Sequence, residues 1–196
     1  GQGFAKGTYT LLVGDSASGK TFCALQTLAE ACISKAFDGY QLVLLAPERG
    51  ARMKLNKFFG PLEERLQWLF PETVEQFYFM LSDLHKQGPF VAFLDSMDAL
   101  TSEDEQEKFQ EQKMAAEKGK KVTGTYGTSK AKANSTSLRV AVNDLVKDGS
   151  ILGIISQTRE NIGFDAKFNP KTRAGGKSLK FYATSELWFS IRENLK

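Results

Sequence analysis

Eight residues, Gly14-Asp15-Ser16-Ala17-Ser18-Gly19-Lys20-Thr21, constrain this chain more than any other feature. They follow a short apolar run, Tyr9 to Val13, and open a helix-period segment from Lys20 to about Ala36. The spacing G-x-x-x-x-G-K-[ST] between a strand and a helix is that of a phosphate-binding loop. The glycines let successive backbone N–H groups curl around phosphate oxygens, and the helix N-terminus adds partial positive charge. Lys20 is placed to reach β- and γ-phosphates, and the Thr21 hydroxyl to complete a Mg²⁺ shell. A nucleotide site is therefore expected over Gly14, Asp15, Ser16, Ala17, Ser18, Gly19, Lys20 and Thr21.

Such a site needs a carboxylate for the metal. Phe90-Val91-Ala92-Phe93-Leu94-Asp95 reads as a buried strand ending in an acid, at the edge where ligands of open α/β sheets bind. Asp95 is the expected ligand. Asp98 reads as a helix-start or surface acid and is held as an outside candidate. Glu48 stands just past a second apolar run, Gln41 to Ala46. On spacing alone it is either a solvated loop acid or the group that activates water.

The rest of the chain alternates. Helical stretches are expected at about 50–59, 73–86 and 135–147, the last with Leu138, Val142, Leu145 and Val146 on one face. A fourth strand is expected at Ile151 to Ile155, and one or two more between Ser178 and Ile191. Strands apolar on both faces and separated by helices predict an α/β fold, a mostly parallel twisted sheet with helices on both faces. No linker divides the chain, so one domain over 1–196 is expected. Two stretches break the pattern. Residues 103–136 carry almost no large apolar side chains, and five acids from Glu103 to Glu111 give way to six lysines from Lys113 to Lys132. Residues 158–176 are also irregular and basic, and a loop of either length inside a domain is usually functional or disordered.

Composition narrows the classes further. With 41% hydrophobic and 25% charged residues, the 196-residue chain is neither disordered nor fibrous. Its longest apolar runs fall far short of the roughly 20 residues of a membrane span. The net charge of +3 is too small to name a polyanionic partner, so the placement of charge matters more. Cys23 and Cys32, nine residues apart on one predicted helix, lie on opposite faces about 13 Å apart and cannot pair. They read as buried thiols. His85, the single histidine, reads as a helix C-terminal cap.

These motifs together resemble the RecA-type recombinase core, over roughly residues 4–192. The resemblance rests on the phosphate loop, Glu48, and Phe93-Leu94-Asp95-Ser96 with Ala99-Leu100. It also rests on Ile154-Ile155-Ser156-Gln157-Thr158-Arg159 and on Gly175-Gly176-Lys177-Ser178-Leu179-Lys180-Phe181-Tyr182-Ala183. It implies a P-loop ATPase with ATP and Mg²⁺ as cofactors and Lys20, Glu48 and Gln157 as catalytic residues. Glu48 would activate water, and Gln157 would sense the γ-phosphate and couple it to DNA. The 158–176 stretch would be the second DNA-binding loop and part of 103–136 an enlarged first one. That makes Lys118, Lys120, Lys121, Lys130, Lys132, Arg159, Lys167, Lys171, Arg173 and Lys177 candidate phosphate contacts, as sequence-independent binding requires. Phe164 and Phe168 either stack on bases or pack beneath the loop.

The family's N-terminal docking segment and its later inter-subunit basic residues have no counterpart in these 196 residues. The expectation is an excised core or a minimal relative such as the short RecA-like annealing proteins of bacteriophages. The resemblance implies single-stranded DNA binding in recombination, annealing or repair, self-association as filament or ring in the full-length protein, no membrane, and a cytoplasmic location. Two alternatives share the core: a hexameric replicative helicase motor and a KaiC-like nucleotide-dependent switch. Dependence of ATP turnover on DNA separates the switch, and directional unwinding separates the helicase.

Overall fold

Strands that are apolar on both faces need cover on both sides, and the chain supplies it. A computed structural model describes residues 3–48, 55–117, 129–160, 171–173 and 177–191; at 129–130, 159–160, 171–173 and 177 it describes the backbone alone. In chain order the elements are β1 (Thr8–Gly14), α1 (Lys20–Ile33), β2 (Gln41–Leu45), α2 (Leu55–Phe59), α3 (Leu62–Arg65), β3 (Leu66–Leu69) and α4 (Val74–Gln87). Then come β4 (Phe90–Leu94), α5 (Glu103–Glu117), α6 (Ser129–Asp148), β5 (Ile151–Glu160), β6 (Lys171–Arg173), α7 (Lys177–Tyr182) and β7 (Ser185–Phe189). Six strands run parallel in the order β3-β2-β4-β5-β1-β7. β6 pairs antiparallel with the far end of β5, Thr158 opposite Arg173.

The period-2 alternation of each strand sorts its side chains between two cores. Leu11, Val13, Val43, Leu45, Ala92, Leu94, Leu152 and Ile154 face α4 and α6, where Phe77, Leu81, Leu138 and Leu145 meet them. Leu12, Leu42, Leu44, Val91, Phe93, Ile151 and Ile155 face α1, α2 and α3 through Ala24, Leu25, Leu28, Phe59 and Leu62. Register then determines what gathers at the C-terminal edge. Leu45 is level with Leu94, Leu94 with Ile154, and Gly14 with Gln157. The residues that continue β1, β2 and β4 therefore meet the end of β5.

The center of the second core is tight. Gly153 on β5 lies opposite Phe93 on β4, and a Cβ at Gly153 would stand 2.2 Å from the Phe93 ring. Phe4 packs edge-on to the same ring at 5.3 Å, which blocks its retreat. Gly153→Ala is expected to lower stability by about 1–3 kcal/mol, the usual cost of overpacking, read as a lower urea midpoint at unchanged slope.

Several expectations are corrected. Residues 103–136 are not a loop throughout: α5 and the first turns of α6 lie inside them. Glu, Gln, Lys and Ala favour helix without any apolar face. Ser102 and Glu105 close a capping box, Glu105 N–H to Ser102 Oγ at 3.3 Å and Ser102 N–H to Glu105 Oε2 at 3.0 Å. The 158–176 stretch has an ordered base, the β5–β6 pairing. Between Ser178 and Ile191 a helix, α7, precedes the one strand. β3, an edge strand, was not anticipated. Of the helix expected at 50–59 the described part is Leu55–Phe59. Val146, assigned to the buried face of α6, is exposed, whereas Leu138 and Leu145 are buried. Cys23 and Cys32 are free and half-buried rather than buried. His85 lies in the last turn of α4 but does not cap it, Gly88 being the cap: its Nδ1 lies 2.5 Å from Asp148 Oδ2 and its ring packs on Phe90, tying α4 to the end of α6.

Candidate nucleotide-binding site

The loop between β1 and α1 has the backbone its sequence requires. Gly19 adopts φ +96°, a left-handed conformation that glycine takes without strain, and Ala17 adopts φ +58°. Turns of this hand build the concave nests of N–H groups that hold anions. Gly14 is pressed against β7: a Cβ there would stand 2.5 Å from the Phe189 carbonyl oxygen. Lys20 opens α1 and is buried, its Nζ donating to the carbonyls of Gly14 at 2.9 Å and Asp15 at 2.5 Å. Burial pushes the Lys20 ammonium below its ordinary range, against the opposing pull of Asp95, Asp15 and Asp98.

Thr21 and Asp95, 74 residues apart, meet at this edge, with the Thr21 hydroxyl donating to Asp95 Oδ2 at 2.6 Å. Burial pushes the Asp95 carboxyl up, and the Thr21 hydroxyl and Lys20 ammonium offset that only in part. A half-buried acid resisting its own charge beside a hydroxyl is a pair of oxygen donors suited to a cation. Among the described residues no group of three or more His, Cys, Asp and Glu side chains could hold a metal. One carboxylate and one hydroxyl fit Mg²⁺, which keeps waters and takes its other ligands from phosphates.

Lys20, Thr21, Glu48, Asp95 and Gln157 line one cleft of about 310 Å³. The exposed Glu48 reaches it from beyond β2, and Gln157 from the end of β5. The structure thus brings together all the expected catalytic and metal positions. Of the basic candidates, Lys132 is exposed on α6. Lys130 lies on the first turn of α6, Arg159 on β5, Lys171 and Arg173 on β6 and Lys177 at the start of α7, each by its backbone. Lys118, Lys120, Lys121 and Lys167, with Phe164 and Phe168, lie outside the described residues.

Two contacts escaped the sequence reading. Asp98, expected as a helix-start or surface acid, sits in a short 3-10 turn (Met97–Ala99), and its Oδ2 accepts from the Gln157 backbone N–H at 2.7 Å. Asp15 accepts from the Thr158 hydroxyl. The spacing of Asp98 three residues after Asp95 was the one available signal.

A parallel sheet whose first strand passes through this loop into a helix, with an acid ending β4 on the far side of β5, defines a P-loop nucleotide-binding fold. Within that class the chain belongs to the RecA N-terminal domain family, whose family model matches residues 1–196. The chain is 32% identical over 186 residues to Protein RecA of Aquifex aeolicus, covering 94% of this chain and 49% of that protein. It is 30% identical over 186 residues to Protein RecA of Chlorobaculum parvum, with 94% and 49% covered. Against a plasmid RecA of Lactococcus lactis it is 26% identical over 195 residues, with 99% and 51% covered. The chain thus spans about half the length of the curated relatives it matches. Among the described residues, no helix is long and apolar enough to cross a membrane.

Proposed function

We propose that this chain is the ATP-binding and ATP-hydrolysing core of a RecA-like protein that grips single-stranded DNA according to its nucleotide state, in recombination, annealing or repair. The loop from Gly14 to Gly19 cradles the phosphates with backbone N–H groups, and Lys20 holds the β- and γ-phosphates. Thr21 and Asp95 would hold Mg²⁺, which would supply neutralisation of the phosphate charge. Glu48 takes the proton of the attacking water, a role that needs a carboxyl in the cleft. Gln157 senses the γ-phosphate from the strand that leads into the basic 158–176 stretch. Lysines and arginines of the two basic stretches contact DNA phosphates without reading sequence. The full-length protein assembles as a filament or ring.

The observation that carries this reading is the convergence of Lys20, Thr21, Asp95, Glu48 and Gln157 on one cleft, with Gln157 already on the strand that feeds the basic stretch. Binding of labelled oligo(dT), with and without a non-hydrolysable ATP analogue, tests it. The analogue is expected to change affinity about 5–150-fold, the usual range of a coupling between two sites. The affinity should fall steeply across a salt series, as phosphate contacts require. Oligonucleotide affinity indifferent to the analogue, together with ATP turnover indifferent to DNA, would sink the proposal.

A further inference from the structure

Two hydrogen bonds bracket the end of β5, and neither is part of the phosphate cradle. The Thr158 hydroxyl donates to Asp15 Oδ1, and the Gln157 N–H donates to Asp98 Oδ2 at 2.7 Å. Successive residues of one strand are thereby tied to two walls of the cleft, the phosphate loop and the turn behind Asp95. Asp15 is engaged through both of its groups. Its carbonyl accepts from Lys20 Nζ at 2.5 Å and from the Ser18 N–H at 3.3 Å, while its carboxylate accepts from Thr158.

We propose that Asp15, Thr158 and Asp98 form a clasp that positions Gln157 and that nucleotide binding opens at its Asp15–Thr158 side. The inference rests on the ATP reading above and adds its regulation. A phosphate oxygen is a stronger acceptor for the Lys20 ammonium than a peptide carbonyl, so binding draws Lys20 off Asp15. The Asp15 peptide, still hinged on the Ser18 N–H, then turns about that bond, and the carboxylate that anchors Thr158 moves with it. The arriving negative charge also enters a space where Asp95, Asp15 and Asp98 already act on Lys20. Like charges at that range repel. Asp98 keeps its hold on the Gln157 backbone, so the strand stays in register while the β5–β6 pairing that follows, Thr158 to Glu160 against Lys171 to Arg173, loses one of the contacts that steady it. Thr158 and Asp98 are positioning residues, since they act through Gln157 and the loop.

Limited trypsin digestion of the whole chain, scoring cleavage after Arg159, Lys171 and Arg173, reads the clasp without DNA. An ATP analogue is expected to speed cleavage in the wild type about tenfold, the loss of one hydrogen bond to a charged acceptor. Thr158→Val should be cut at the fast rate with or without the analogue, and Thr158→Ser should restore both the slow rate and the response. Asp98→Ala should be cut faster in both states, while Asp98→Asn, which keeps an acceptor oxygen, should behave as wild type. A destabilised fold alone would raise cleavage but leave the analogue response. Binding of a fluorescent ATP is measured alongside. If the wild type binds it and cleavage does not accelerate, or if Thr158→Val still responds, the clasp is wrong and the ATP reading stands. If the wild type does not bind it, the ATP reading fails and takes the clasp with it.

Discussion

Replacing Lys20 with alanine is expected to weaken ATP binding by at least about 100-fold, because two or more charge-assisted hydrogen bonds to phosphate are lost at about 1.5–3 kcal/mol each. The same change should leave the fold intact. Lys20 is 6% exposed, and burial pushes its ammonium below the ordinary lysine range. The sign follows from linkage. A base whose folded value is depressed binds its proton more weakly in the folded state, so its charge opposes folding below that value. Alanine removes the opposition. Lys20→Ala should therefore unfold no earlier than wild type near neutral pH, and any advantage should shrink as pH rises through the folded value toward that of free lysine. Fluorescent-nucleotide titration gives the first quantity and thermal melts across pH the second. Loss of binding accompanied by collapse of the melt would mean that Lys20 holds the loop together. Retained binding would mean that the phosphates lie elsewhere.

Much of the site was legible because its chemistry is local in sequence. The phosphate loop is eight consecutive residues, and Asp95 is named by the five apolar residues before it. Burial patterns recovered β1, β2, β4 and the first half of β5 for the same reason: central strands are apolar on both faces. β3 was missed because it is a four-residue edge strand, with Leu66 buried and Gln67 exposed. α5 was missed because its residues carry no apolar stripe and none is buried, although Ser102-x-x-Glu105 marked its start. α7 falls where one or two strands are expected between Ser178 and Ile191: of its described side chains Leu179 alone is buried and Phe181 is 81% exposed, so no apolar stripe marks it as helix. The two contacts on β5 join residues 143 and 59 apart in sequence. Nothing in a single chain pairs such positions until the sheet register brings Gly14 level with Gln157.

Glu48→Gln should slow steady-state ATP turnover by about 100- to 10,000-fold, the span of a lost general base, while nucleotide affinity changes little. The argument is geometric. Leu45 ends β2 level with Leu94, and three residues further on Glu48 reaches the cleft that Lys20, Thr21 and Asp95 also line. In the proposed reading the phosphates and metal would be held by those three and by the loop backbone, which leaves Glu48 none of the binding. Glutamine keeps the shape and holds a water by hydrogen bonding, but it cannot accept the water's proton. A defect confined to kcat, with KM and the Kd for ATP unchanged, is the signature of an interaction made in the transition state alone. A rise in KM at constant kcat would turn Glu48 into a binding residue. Unchanged turnover would return it to the solvated loop acid that its exposure also permits, and proton abstraction would then fall to another group. The variant has a second use. Because it would bind ATP without consuming it, it should hold the chain in its nucleotide-bound state with natural ATP. Trypsin cleavage after Arg159 in Glu48→Gln plus ATP should then match that of wild type plus the analogue, linking the chemistry at Glu48 to the clasp at Thr158.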